Sequence, residues 1–128
     1  MPNYAKTLEI AKSKVKNVRI ITASLTLTLA DSGSLIVCNA ADLVVTLPPT
    51  FNGFNVTVLT NVLSVGTGTS VSPNASDQIA GNGLTPVDDK DAINSGASDA
   101  LGDFIEVTGD GSAGWWITDV RGTWAAEA

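Results

Sequence analysis

From residue 19 onward the pattern of apolar and polar positions is that of β-strands. Leu25, Leu27 and Leu29 alternate with Thr26 and Thr28, which predicts a half-buried strand with leucines on one face and threonines on the other. Asp31-Ser32-Gly33 supplies a turn, and residues 35–38 form a second apolar run. Residues 39–42 interrupt it and residues 43–47 resume it. Pro48-Pro49 then ends the strand at an edge or corner, because proline has no N–H to give a ladder. Asn52-Gly53 marks another corner before residues 54–59, where Val56 and Val58 alternate with Asn55 and Thr57. Beyond Leu63 short strands and wide loops alternate around the isolated Val71 and Ile79. Residues 82–99 have little periodicity and read as an exposed excursion. Residues 104–107, 108–114 and 115–120 read as strand, turn and strand, and Gly122-Thr123-Trp124 as one last short element. The expected fold is all-β, a compact antiparallel β-sandwich or barrel.

The first residues differ. Tyr4, Leu8, Ala11, Val15 and Val18 fall at helical spacing, Lys12, Lys14 and Lys16 at strand spacing, and no pair of caps brackets the segment. Residues 1–23 are therefore expected to be an extended basic arm without a core, and residues 24–128 the body. Charge sharpens this division. Residues 1–19 carry Lys6, Lys12, Lys14, Lys16 and Arg19 against Glu9, whereas the remainder carries Lys90 and Arg121 against twelve acids. A basic arm on an acidic body docks on something negative. An acidic body repels phosphate and offers no basic stripe, so the expected partner is a protein and not nucleic acid.

At 128 residues the chain is one domain, able to bury a core without disulfides. It has no histidine and a single cysteine, which excludes histidine-dependent catalysis and a cysteine–histidine zinc cluster. No apolar run is long enough to span a bilayer and no leader is visible, so no membrane partner is expected and synthesis is placed in a cytoplasm.

The candidate chemical motifs have simpler readings. Gly109-Asp110-Gly111-Ser112-Ala113-Gly114 matches GxGxxG, but Trp115-Trp116-Ile117 continues as strand where a dinucleotide site needs a helix, so a hairpin turn is expected. Asp88, Asp89 and Asp91 lack the spacing of a calcium loop and read as a solvated acidic loop. Asp103 and Glu106, three apart on a strand, point to opposite faces and do not form a carboxylate pair. Cys38 is expected to be a buried thiol. The sequons at Asn55 and Asn74 are set aside for want of a leader. No cofactor, metal or enzymatic activity is expected. Trp115, Trp116 and Trp124 are candidates for a subunit interface; adjacent residues on a strand face opposite ways, so one of the first pair faces outward, with a sugar platform as its other reading.

The order of these features resembles head decoration proteins of tailed bacteriophages and related phage appendage domains. The likeness is carried by residues 30–37, by Val44-Val45-Thr46-Leu47-Pro48-Pro49, by residues 53–58, and by Pro73 with Asp77-Gln78-Ile79. It continues through residues 103–107, Asp110-Gly111, Trp115-Trp116 and Gly122-Thr123-Trp124. It implies a homotrimeric capsid cement protein on the outer capsid surface of the virion, with the major capsid protein as partner and no catalytic residues. On that reading Lys6, Lys12, Lys14, Lys16 and Arg19 meet acidic capsid surface. A tail or fibre module, with residues 82–99 against a host receptor, and a carbohydrate-binding module are the alternatives.

Overall fold

Short runs of valine, isoleucine and threonine become strands because branched side chains pack well on a pleated, half-buried surface. The computed structural model describes residues 15–128, over which eleven strands are arranged in two sheets. The strands are β1 (Asn17–Ile21), β2 (Leu25–Thr26), β3 (Ser34–Cys38), β4 (Val44–Thr46), β5 (Asn55–Thr60) and β6 (Ser70–Ser72). They continue with β7 (Gln78–Ala80), β8 (Ala92–Asn94), β9 (Phe104–Gly109), β10 (Gly114–Arg121) and β11 (Trp124–Ala126). There is no α-helix among the described residues. The larger sheet, sheet A, has the order β1-β3-β5-β9-β10-β7, and sheet B the order β11-β8-β6-β4-β2.

The chain visits the two sheets in turn. β1, β3 and β5 pair in parallel in sheet A, and β2, β4 and β6 pair in parallel in sheet B, so residues 17–72 climb through three coils with one strand of each coil in each sheet. Direction then reverses: β9 pairs antiparallel with β5 and β10, and β8 pairs antiparallel with β6 and β11. The expected all-β class holds, but the antiparallel expectation holds only for the pairings that β8 and β9 make, since β10 pairs in parallel with β7 on its other side. Alternation along a strand reports which face is buried and not the direction of its neighbour.

One apolar cluster draws on both sheets: Ile36, Val56, Val58, Ile105 and Val107 from sheet A and Val45 and Val71 from sheet B are fully buried. Phe54 and Trp115 meet edge to face at one end of it, with ring centroids 5.3 Å apart and planes at 87°.

Three further expectations change. Leu29 does not extend the leucine stripe: β2 stops at Thr26, and Leu29–Asp31 turns into a 3-10 segment that leaves Leu29 exposed. The Asp31 carboxylate accepts the Thr28 N–H at 2.8 Å and pulls the chain out of the sheet. Residues 82–99 are not wholly an excursion, because they contain β8, whose Ala92 and Asn94 are buried. The span 1–23 is not an arm throughout, since β1 lies within it and Ile21 reaches the core. Pro48 follows β4, an interior strand of sheet B, so it marks a corner.

Candidate functional site

The strand registers place every second residue of sheet A on its outer face, in three rows that cross the sheet. One row runs Ile20, Val37, Leu59, Phe104 and Arg121. The next runs Val18, Leu35, Thr57, Glu106 and Asp119. Lys16, Gly33, Asn55, Thr108 and Trp116 form the third, the first two joined to the ladder by backbone hydrogen bonds. The face therefore grades from an apolar corner on β1 and β3 to a polar corner on β9 and β10. At the apolar corner Val18 is 55% and Ile20 68% exposed, on a strand that is the edge of the sheet among the described residues.

The polar corner is held by a one-way chain of hydrogen bonds. Asn55 Nδ2 donates to Thr108 Oγ1 at 2.9 Å, and Thr118 Oγ1 donates to Glu106 Oε1 at 2.6 Å. Thr118 has a single hydroxyl proton, so across the 3.1 Å contact between the two threonines Thr108 is the donor. The chain runs from amide through two hydroxyls to the carboxylate. A β-bulge between Ile117 and Asp119 makes it possible: Thr118 is the unpaired extra residue, and its hydroxyl is turned onto the Glu106–Thr108 side of the sheet. Beside this network lies an open groove of about 450 Å³, lined in part by Lys16, Ser32 and Gly53.

Trp116 borders the same corner. Its indole Nε1 donates to Asp110 Oδ2 at 3.1 Å, while Asp110 Oδ1 accepts the N–H groups of Ser112 at 2.7 Å and Gly114 at 3.0 Å. These backbone bonds hold the Asp110 carboxyl below its ordinary range. The ring is tethered by its edge and remains 53% exposed. The GxGxxG stretch is thus the hairpin turn expected. Gly114 is required there by a close approach, because a Cβ would lie 2.1 Å from the Gln78 carbonyl oxygen of the parallel neighbour β7.

The other residues singled out from the sequence scatter. Lys6, Lys12 and Lys14 lie outside the described residues. Lys16 is exposed beside the groove. Arg19 forms an ion pair within the chain, its Nη1 2.8 Å from Asp31 Oδ1, with 40% of its side chain exposed. Trp115 and Trp124 are buried core side chains and offer no interface; of the three tryptophans only Trp116 reaches the surface. Cys38 is fully buried, and burial pushes its thiol up to about 11. Asp88 and Asp89 are exposed, and no three acidic or cysteine side chains converge as a metal site would require among the described residues. Asp103 and Glu106 make separate contacts: Asp103 Oδ2 accepts from Asn94 Nδ2 and the Ala100 N–H, and Glu106 accepts from Thr118. Sequence reasoning missed Asn55, Thr108 and Thr118 as a group. The period of two puts Asn55 and Thr57 on the outward face, but the bulge that recruits Thr118 leaves no mark in the sequence.

No family model matches this chain, and no curated protein matches it.

Proposed function

We propose that the chain is a non-enzymatic structural subunit of a bacteriophage virion, a decoration protein that seats as a homotrimer on the outside of the capsid and bridges neighbouring major capsid subunits. The observation that carries this reading is the apolar corner of sheet A. Val18, Ile20, Leu35 and Val37 lie together on two adjacent strands at an edge that no other strand covers among the described residues, and the basic stretch of the sequence runs up to and into β1. A second copy covers the corner in the trimer, removing from water the patch that a lone subunit leaves exposed. The basic N-terminal stretch is then present three times in one assembly, and weak contacts of each copy with acidic capsid surface add through effective concentration. On this reading the two sheets over their shared core are a sandwich, and Trp116 faces away from the capsid.

The test is solution mass followed by cosedimentation with capsid shells of the source virus. Because β1 begins at Asn17, the truncation removes residues 2–14 and keeps every residue of β1. The expected outcome is a trimer that pellets with shells as the full chain and stays in the supernatant once truncated. A monomer, or pelleting that ignores the truncation, overturns the proposal. The three parallel coils favour a second reading, a tail or fibre module, since stacked coils build elongated bodies. Binding to tails and not to heads selects it.

A further inference from the structure

The polar corner of sheet A lies apart from the apolar patch invoked above and has a different chemistry. Asn55, Thr108 and Trp116 stand in one row on adjacent strands, so the row spans about 10 Å, close to the length of a disaccharide. At one end is an indole held by Asp110 at its N–H edge, with its ring half exposed. An aromatic face carries partial negative charge and suits the C–H face of a pyranose ring. At the other end is a side-chain amide. Between them, both threonine protons are already committed along the chain to the buried Glu106, so the hydroxyl oxygens meet a ligand mainly as acceptors. A ligand rich in hydroxyl donors satisfies such a surface.

We propose that this corner is a binding site for a neutral oligosaccharide, with Trp116 as the stacking platform and Asn55, Thr108 and Thr118 as the groups that hold its hydroxyls. A basic peptide is the competing occupant, because Glu106, Asp110 and Asp119 are acidic. The engagement of two of those carboxylates disfavours it: Glu106 is only 6% exposed and accepts from Thr118, and Asp110 already accepts three N–H groups, so neither offers a bare charge to a lysine. The site does not depend on whether the chain sits on a phage head or tail, or on a virion at all.

The experiment is calorimetric titration of the intact chain with defined probes: cellohexaose, maltohexaose, the hexamer of N-acetylglucosamine, and hexalysine. The expected result is saturable binding of at least one sugar and none of hexalysine. Trp116→Ala, at an exposed position, should weaken that sugar by about tenfold or more without moving the thermal midpoint. Thr118→Val keeps the shape, breaks the network and should weaken it by about threefold to tenfold. If no sugar saturates, or Trp116→Ala binds as tightly as the parent, the proposal is overturned. Binding of hexalysine alone also overturns it and gives the corner to a basic peptide.

Discussion

Trp115 shows how one side chain can be both well packed and imperfectly satisfied. It is almost fully buried against Phe54, yet its Nε1 has no hydrogen-bond partner among the described residues. An orphaned buried N–H costs about 1–3 kcal/mol, so substitutions separate packing from polarity. Trp115→Ala should lose about 3–5 kcal/mol in denaturant unfolding. Trp115→Phe should lose far less, because relief of the orphan offsets part of the cavity; equal losses would show that the indole N–H is satisfied in solution. Asp91 carries the opposite lesson on charge. Burial first, then the neighbouring charges of Glu127 and Asp89, raise its carboxyl above the ordinary 3.8. A raised carboxyl favours the fold when protonated, and that contribution is lost as pH rises through its folded value. Asp91→Asn should therefore raise the thermal midpoint at neutral pH, and the advantage should shrink toward zero as the parent is acidified below about pH 4. A constant difference across that range would mean that charge is not the cause.

β8 illustrates how polar residues can anchor a strand. Asn94 is wholly buried, and each of its polar atoms is engaged: Oδ1 accepts from Thr60 Oγ1 at 2.8 Å, and Nδ2 donates to Asp103 Oδ2 and to the Thr123 carbonyl, both at 3.1 Å. One amide thus ties together β5, β8 and the approaches to β9 and β11. Asn94→Ala should cost about 3 kcal/mol or more and should raise amide exchange in β8 and β11 ahead of the rest, because three partners are left unpaired in the interior. A loss below about 1 kcal/mol would show that water replaces the amide. This strand was illegible in the sequence for the same reason that it is stable. Its buried positions are alanine and asparagine, and a hydrophobic period cannot register an asparagine that its neighbours satisfy. By contrast β3, β5, β9 and β10 were legible because apolar side chains mark their buried faces: Ile36 and Cys38, Val56 and Val58, Ile105 and Val107, and Trp115. The leucine stripe misled at Leu29, where the carboxylate of Asp31 outweighs alternation. The candidate site divides along the same line: Trp116 was visible as the outward partner of Trp115, whereas Thr118 enters only through a bulge.

Taken together, the strands make a molecule whose sequence neighbours are seldom its spatial neighbours. Successive strands of sheet A's coil begin 17 and 21 residues apart, and β5 then waits for β9 before its second edge is paired. Pairings this distant close slowly, because loop entropy is lost before contacts reward it. The alternation that the sequence displays could not disclose this, since it carries no information on which strand lies beside which. The order of pairing also sets a schedule for synthesis. The coils of β1 to β6 emerge from the ribosome first, but the strand that seals the open side of β5 is made only after residues 61–103 have been translated. Throughout that interval the growing chain offers an incomplete, valine-rich sheet to every other nascent chain nearby. Slower translation across that stretch should therefore lower the yield of folded protein, and added chaperone should restore it.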